Sequence, residues 1–138
     1  MIVSERIQLR TKGDGHILDI TDQVSQKLRD SGLQEGVMTL FTPSSTSGLT
    51  TIEYESGVVH DLQQLFDRIV PTDIDYRHNL RWGDGNGHAH VRHALLGASL
   101  TIPFAQGQMT LGTWQQIVFA DFDNRARSRS LVVQIMGE

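Results

Sequence analysis

Histidine side chains are concentrated in one polar segment of the chain. Four of the six histidines, His78, His88, His90 and His93, fall there, with Asp84 between them. Imidazole nitrogens and carboxylate oxygens are the usual protein ligands of zinc and related divalent ions. The spacing matches no named zinc signature, and histidines in a solvated loop can simply cap or hydrogen-bond. The segment therefore predicts either a metal site or a solvated loop.

Two further segments could bind an anion. Three glycines alternate with other residues over 82–87 and let backbone N–H groups approach a ligand ahead of a helix, although a simple turn has the same composition. If that helix spans 87–96, Asn86, His90 and His93 share one face. Pro43–Gly48 is rich in hydroxyls, Thr46 among them, but has no P-loop lysine. A hydroxyl-rich turn is the alternative interpretation.

Charged and aromatic residues elsewhere are also candidates. Arg125, Arg127 and Arg129 lie two apart, so on an extended segment they share a face that could bind phosphate or could guard an edge strand. Glu53 ends a predicted strand and could be a base, a ligand or an exposed carboxylate. The segment ending in Trp114-Gln115 could supply a ring for stacking and an amide for orientation, or a core tryptophan.

These residues must be positioned by a mixed set of elements. In the first half of the chain, alternation and turn residues predict strands at 3–11, 17–20, 36–42 and 49–54. Thr21 is predicted to be the N-cap of a helix closed by Gly32. A second helix is expected over 58–69, ended by Pro71. Residues 72–87 show little periodicity, and 88–96 can form a short helix.

The last third of the sequence consists mainly of strand patterns. Strands are predicted at 99–104, 109–113, 115–122 and 130–136. The total of seven or eight strands and about three helices predicts an α+β sandwich, with two mostly antiparallel sheets. The length of 138 residues predicts one domain over 1–138.

The composition excludes several classes of function. There are no cysteines, which excludes disulfides, thiolate metal sites and a cysteine nucleophile. The formal net charge of −4 argues against general nucleic-acid binding. No apolar run is long enough for a membrane span, and the first residues lack a signal-peptide pattern. A cytoplasmic protein without a nucleic-acid or membrane partner is expected.

Taken in order, the motifs resemble one family. They are the segments 76–78, 82–90, 95–99, 102–103, 111–117 and 121–127. This ordered set resembles the YjbQ-like family, whose members are often named secondary thiamine-phosphate synthase enzymes. The resemblance covers most of the chain, from about Phe41 to the C-terminus.

The resemblance implies a fold, an assembly and an activity. The implied fold is a small α+β sandwich, and the implied assembly is a homotrimer with sites near subunit boundaries. The implied activity is weak and joins a pyrimidine diphosphate to a thiazole phosphate, giving thiamine phosphate and pyrophosphate.

Family positions carry over residue by residue. The histidines of the motif fall on His78 and His90, which ranks them above His88 and His93. The remaining matched positions are Asp84, Gly85, Asn86, the segment Gly112–Gln115, Arg125, Arg127 and Glu53. Where many members have His-Thr-Thr, this chain has Ser44-Ser45-Thr46, and Ile52 replaces an asparagine before the glutamate.

The leading hypothesis is a transferase-like site that holds a divalent cation and a phosphorylated small molecule. His78 and His90 would act as metal ligands or acid–base groups, supported by Asp84 and Glu53. Substrate oxygens and charge would be met by Gly85, Asn86, Thr46, Trp114, Gln115, Arg125 and Arg127. Magnesium suits a diphosphate, whereas a histidine pair prefers zinc. The alternatives are metal-assisted hydrolysis of a phosphate or amide, and a trimeric binding module without turnover.

Overall fold

The computed structural model describes residues 1–138 and contains eight strands and four helices in two antiparallel sheets. The strands are β1 (Ile2–Thr11), β2 (His16–Asp19), β3 (Gly36–Phe41), β4 (Ser47–Ile52), β5 (Ser99–Ala105), β6 (Gln108–Met109), β7 (Gln116–Asp121) and β8 (Arg127–Gly137). The helices are α1 (Thr21–Ser31), α2 (Ser56–Ile69), α3 (Arg77–Trp82) and α4 (Gly87–Leu96). The predicted α+β fold with two antiparallel sheets is confirmed.

The larger sheet has the order β1-β8-β3-β5-β6. Its strands alternate between buried and exposed residues, as Ile7 and Leu9 do with their polar neighbours on β1. The buried residues join α1 and the second sheet in the main core, which includes Met38, Leu40 and Ile135. Burial of this apolar face is the main stabilising contribution to the sheet.

The smaller sheet, with the order β2-β7-β4, determines where the polar segments lie. Pairing of β4 with β7 places Ser47 opposite Asp121 and Ile52 opposite Gln116. We call the Ser47–Asp121 end the near end and the Ile52–Gln116 end the far end. At about 3.3 Å per residue, the two ends are roughly 17 Å apart. Residues before β4 and after β7 therefore meet at the near end.

Of the two predicted ends of α1, one is confirmed and the other is wrong. Gly32 ends α1 in the left-handed conformation, with φ of 72°, as predicted. The predicted N-cap, Thr21, is wrong: it is the first helical residue, and Ile20 holds the N-cap position without a side-chain cap. The Thr21 hydroxyl instead donates to Asp19 Oδ1 at 2.6 Å and accepts from the backbone N–H of Ile117 at 2.9 Å. It ties the start of the helix to β7.

Two segments were predicted incorrectly. Residues 72–87 are not without regular structure, because they contain α3, which ends at the left-handed Gly83. The strand predicted at 109–113 is reduced to Gln108–Met109, and the chain then turns, with the N–H of Gln115 donating to Gly112 O. No helix of the protein is both long enough and apolar enough to cross a membrane.

His16, at the start of β2, gives a pH-dependent prediction. Burial lowers its pKa below the ordinary 6.5, and the Lys12 charge lowers it further, while Asp121 acts in the opposite direction. Its Nδ1 accepts the Lys12 backbone N–H at 3.0 Å, which requires an unprotonated nitrogen. Because the folded pKa lies below the unfolded pKa, this stabilisation is present above 6.5 and is lost as the pH falls through the folded pKa.

We expect an NMR titration of the His16 Cε1–H resonance to give a midpoint below 6.5. Lys12→Gln keeps the backbone donor and removes the charge, so it should move the midpoint upward. A midpoint unchanged by this substitution would show that Lys12 does not contribute.

Candidate functional site

Three predicted residues form a cluster at the near end of the smaller sheet. Donor atoms of His78, Asp84 and His90 all lie within 4.8 Å of one another. His78 Nδ1 is 3.3 Å from Asp84 Oδ1, and the centroids of the two imidazole rings are 4.3 Å apart. His78 comes from α3, Asp84 from the loop after it, and His90 from the second turn of α4. Two short helices and one loop thus supply a His–Asp–His cluster.

The geometry of this cluster is close to that of a zinc site. Ligand atoms about 2.1 Å from a tetrahedral zinc ion are about 3.4 Å apart, which the 3.3 Å between His78 and Asp84 matches. The widest separation, up to 4.8 Å, requires a small side-chain rotation. His78 Nδ1 is buried and makes no hydrogen bond. Such an atom normally has a partner, and an ion shared with Asp84 and His90 would provide one.

Asp84 is held in place by its own loop. Its Oδ1 accepts the Asn86 N–H at 3.2 Å, and its backbone carbonyl accepts Asn124 Nδ2 at 2.7 Å. Gly85, between Asp84 and Asn86, has φ of 69°. A Cβ at this position would lie 3.2 Å from Asn124 Nδ2. A side chain at this position would disturb the contact that fixes the Asp84 loop.

Two N–H groups of the glycine segment, those of Asn86 and Gly87, are already hydrogen-bonded inside the protein. The N–H of Gly87, the first residue of α4, donates to Asn79 Oδ1 at 2.8 Å. A Cβ at Gly87 would lie 2.4 Å from Tyr76 Cβ, so this glycine allows α3 and α4 to pack closely. The glycine segment therefore shapes the cluster and leaves no N–H of Asn86 or Gly87 for an anion.

The histidines of α4 have different surroundings. Burial lowers the pKa of His90 below its ordinary value, and the neighbouring His78 lowers it further, which favours the neutral form that can bind a metal. His93 Nδ1 lies 2.5 Å from the Ser47 carbonyl oxygen and joins α4 to β4. His88 is buried, and burial followed by the Arg92 charge lowers its pKa. His88 is therefore a buried neutral side chain outside the cluster.

The predicted common face of α4 is present. Asn86, His90 and His93 all point toward the near end of the smaller sheet, where Asn86 Oδ1 accepts the Asn124 N–H at 2.9 Å. Asn86 is buried, and its side chain helps to hold the pKa of Asp123 below its ordinary value. Most of its hydrogen-bonding capacity is therefore used inside the protein.

A wholly polar cleft of about 410 Å³ adjoins the cluster. None of its lining residues is hydrophobic; they are Pro43, Ser44, Ser45, Thr46, Asp84, Asn86, His90, Asp123, Arg127 and Arg129. The hydroxyl-rich loop before β4 forms one wall, and the segment from the end of β7 to the start of β8 forms another. We call this space the near-end cleft.

Asp123 organises the wall opposite the histidines. Arg127 Nη2 lies 3.1 Å from its Oδ2, and Thr46 Oγ1 donates to the same oxygen at 3.1 Å. Burial would raise the pKa of Asp123, but the hydrogen bonds and charge of Arg127, with hydrogen bonds from Thr46 and Asn86, hold it below its ordinary value. Asp123 is therefore ionised and paired with Arg127, whose side chain also lines the cleft.

Behind this wall lies a buried ion pair. Asp121 is fully buried and accepts Arg129 Nε at 2.8 Å and Nη2 at 2.9 Å. The Asp121 hydrogen bond raises the pKa of Arg129 above its ordinary value. Arg129 Nη2 also donates to Thr46 Oγ1 at 2.8 Å, so the pair fixes the hydroxyl-rich loop. Thr46 Oγ1 both donates and accepts internally, and Ser44 Oγ accepts the Thr46 N–H at 3.2 Å, so the Ser45 hydroxyl is the one most available to a ligand.

Four predicted site residues do not reach the cluster within one chain. Glu53, Trp114 and Gln115 lie at the far end, where Gln115 Nε2 donates to Thr51 Oγ1 at 3.0 Å. Trp114 is not a core residue, because 73% of it is exposed. The Arg125 side chain is exposed in the turn before β8 and does not line the cleft. The register of β4 and β7 is the physical reason why Glu53, Trp114 and Gln115 are separated from the cluster.

Two residues of the cleft region, Asp121 and Asp123, were not assigned a role from the sequence. Asp121, Asp123 and Arg129 form the supporting wall. The available signal was the change from a continuous buried run in β7 to charged residues at its end. Burying a charge next to a buried strand costs desolvation free energy unless the charge is paired. The position of these charges could therefore have suggested an ion-pair network.

The fold and this cleft define a class of small two-sheet α+β protein with a His–Asp–His cluster at a sheet end. A family model described as UPF0047 protein YjbQ-like matches residues 5–138. The chain is 37% identical over 137 residues to a UPF0047 protein of Methanothermobacter thermautotrophicus, covering 99% of this chain and 94% of that protein. It is 32% identical over 133 residues to YugU of Bacillus subtilis, with 95% and 97% covered. The chain belongs to the YjbQ-like family.

Solved structures share the whole architecture. A YbjQ-like protein from Sulfolobus solfataricus has a TM-score of 0.90, with 29% identity and full coverage of both chains. A yjbq/upf0047-family protein from Clostridium acetobutylicum has a TM-score of 0.88 at 34% identity, with 96% of this chain and 99% of that chain covered. The family predicted from the ordered motifs is confirmed.

Proposed function

We propose that the near-end cleft binds a divalent cation together with the phosphate or diphosphate of a small molecule. His78, His90 and Asp84 would hold the cation. The observation that carries this proposal is the buried His78 Nδ1, which makes no hydrogen bond although it lies 3.3 Å from Asp84 Oδ1 and beside His90. Zinc or a related transition ion suits two imidazoles, and magnesium suits a cation that is shared with a diphosphate.

The charge of the cleft indicates that the cation binds before the anion or together with it. Arg127 and Arg129 are balanced by Asp84 and Asp123, and Asp121 directly behind adds a third carboxylate. A free diphosphate would therefore meet no net positive charge. A bound divalent cation reverses the sign of the local charge, so anion binding should depend on the metal.

The reaction we propose is the transfer implied by the family resemblance. The bond between a pyrimidine methylene carbon and its diphosphate breaks, the thiazole nitrogen forms the new bond to that carbon, and pyrophosphate leaves. Arg127 would stabilise charge on the departing diphosphate, and the Ser44 and Ser45 hydroxyls would orient its oxygens. The cation would supply further charge neutralisation.

A second candidate is metal-assisted hydrolysis of a phosphorylated or amide substrate. The observation that favours it is that no hydrophobic residue of this chain lines the cleft, so nothing in the chain excludes water or holds an organic ring. A binding module without turnover is the non-enzymatic alternative. It requires only that the cation and anion bind.

An assembly could supply the missing apolar wall. We infer a homotrimer, in which the far end of one subunit, with Glu53, Trp114 and Gln115, adjoins the cleft of its neighbour. The support is the exposure of Trp114 on a turn that is held by hydrogen bonds from Gly112 and Gln115. Light scattering should give three chain masses, and a monomer would contradict the shared site.

The proposed function is tested by metal analysis and calorimetric titration of the wild-type protein. We expect one bound divalent ion per chain and saturable pyrophosphate binding only in the presence of that ion. Turnover is then measured with pyrimidine diphosphate, with and without thiazole phosphate. Pyrophosphate release that requires both substrates supports transfer, release with water alone supports hydrolysis, and binding without release supports a module. Failure of both metal and pyrophosphate to bind would overturn the proposal.

Arg127 should account for much of the anion affinity. Its Nε is buried without a partner, and its charge faces the cleft beside Asp123. Hydrogen bonds between charged groups contribute about 1.5–3 kcal/mol, so Arg127→Gln should weaken pyrophosphate binding by roughly 10- to 100-fold. The measurement is calorimetric titration of the metal-loaded protein with pyrophosphate.

Arg125→Gln is the matched control for that variant, since this arginine lies two residues away and outside the cleft. It should leave the affinity within about twofold of wild type, because exposed charges contribute little. Equal losses in the two variants would show that general charge, rather than the cleft, binds the anion.

A further inference from the structure

A second cavity lies apart from the near-end cleft. Its volume is about 190 Å³, and it is enclosed by the β1–β2 turn, α2, α4 and the residue after β7. The lining residues are Asp14, Gly15, Ile17, Gln63, Gln64, Phe66, Asp67, Arg92 and Phe122. Sites for drug-sized ligands are about 300–1,000 Å³. The size of this cavity therefore suits only a small ligand.

Arg92 supplies an unpaired donor to this cavity. The residue is only 4% exposed. Its Nε and Nη2 donate to the Val70 carbonyl at 3.1 and 2.8 Å, and Nη2 lies 3.2 Å from Asp67 Oδ1. Nη1 makes no hydrogen bond within the chain, and it lies 4.0 Å from where a Gly15 Cβ would be. A guanidinium held rigidly by its other nitrogens leaves the Nη1 N–H groups in fixed directions, each available to an acceptor oxygen.

The cavity has an apolar wall and a negatively charged rim. Phe66 and Phe122 meet edge to face at 4.9 Å and form an apolar wall with Ile17, and the Arg92 guanidinium lies 5.7 Å from the Phe66 ring. Asp14 and Asp67, both exposed, bring two carboxylates to the rim. One guanidinium inside and two carboxylates outside disfavour a simple anion such as phosphate.

A ligand with one negatively and one positively charged group matches this arrangement. A carboxylate could accept one Nη1 proton of Arg92, and an ammonium group beside it would face the rim carboxylates. The apolar wall then leaves room for a short aliphatic side chain. Gln63 is fixed by donating its Nε2 to Gly15 O at 3.1 Å, so its free amide oxygen can accept from the ammonium.

We propose that the Arg92 cavity binds a small zwitterion, an α-amino acid with a short side chain, through its carboxylate on Arg92 Nη1 and its ammonium near Asp14 and Asp67. This site uses none of the residues of the near-end cleft. It therefore stands whether or not that cleft binds a metal.

The test uses NMR titration of the full chain with glycine and L-alanine. We expect saturable shifts at the amides of Gly15, Ile17 and Phe122 and at the Arg92 Nε–Hε resonance, with affinity in the millimolar range. Acetate carries only the carboxylate and ethylammonium only the cation. Each should bind at least about tenfold more weakly than L-alanine, because half of the paired charge is lost.

Asp14→Asn is the decisive variant. Asp14 has φ of 52°, a conformation that asparagine tolerates, so the turn should be preserved while the charge is removed. L-alanine affinity should fall by about fivefold to tenfold, whereas Asp61→Asn, an exposed carboxylate on α2 outside the cavity, should have no effect. Arg92→Met should abolish binding if circular dichroism shows that it folds.

Three results would overturn the proposal. One is the absence of saturable shifts at the cavity residues in the wild-type protein. Another is acetate binding as tightly as L-alanine, which would make the site a simple carboxylate pocket. The last is unchanged L-alanine affinity in Asp14→Asn, which would remove the rim carboxylate from the site.

Discussion

Asp121→Asn is expected to destabilise the protein by about 3–5 kcal/mol, because it removes one partner of a buried ion pair. The Asp121 side chain is fully buried and accepts two hydrogen bonds from Arg129 and one from Thr11 Oγ1 at 2.6 Å. Asparagine keeps the shape but not the charge, and its NH₂ group cannot accept from the guanidinium. Arg129 would then lose its closest counterion and keep only Asp123, whose Oδ2 lies 3.7 Å from Nη2.

This loss is large relative to the total free energy of unfolding. Domains of this kind are stable by about 5–15 kcal/mol, so the substitution would remove a substantial fraction of the free energy of unfolding. Chemical denaturation followed by circular dichroism measures it. Asp61→Asn removes a carboxylate whose side chain is 84% exposed and should change stability by less than about 0.5 kcal/mol.

A double variant separates the charge effect from packing. Asp121→Leu with Arg129→Met replaces both partners by apolar groups, which leaves no buried unpaired charge. It should be more stable than Asp121→Asn. The interpretation fails if Asp121→Asn costs less than about 1 kcal/mol, since Arg129 would then be solvated adequately without its partner.

The strands could be predicted from sequence because their pattern is local. Alternation identifies β1, and a continuous apolar run identifies β7, since each depends only on residues that are neighbours in the chain. The helix α3 was missed because Arg77–Trp82 is short and polar and has no buried residue. Its position depends on packing against α4 through Gly87, a contact that no periodicity reveals.

The composition of the site was predicted better than its connectivity. His78, Asp84 and His90 lie within a short stretch of chain, so two consecutive short helices and the loop between them suffice to bring them together. The approach of Thr46 to Asp123 depends on pairing between strands distant in sequence. Register also places Trp114 and Asp121 at opposite ends of the same sheet. Sequence patterns specify which face a residue occupies, but not which strand end lies beside it.

The largest functional effect is expected from the paired histidines. His78→Ala and His90→Ala should each weaken zinc binding by about 100-fold or more, because substitutions that only orient ligands already cost 10- to 100-fold. The double variant should retain no stoichiometric metal. Isothermal titration calorimetry with zinc, together with metal analysis of the purified variants, measures both effects.

His60→Ala is the matched control, since His60 is a histidine on α2 whose side chain is 69% exposed and lies 3.5 Å from Asp61 Oδ1. Its zinc affinity should equal that of the wild type. Asp84→Asn tests the third ligand and should be intermediate, because an amide oxygen still coordinates but carries no charge. If His78→Ala and His60→Ala bind zinc equally, the buried Nδ1 of His78 has a structural role and the cation lies elsewhere. Loss in the histidine variants but not in Asp84→Asn would instead assign Asp84 to orienting the His78 ring.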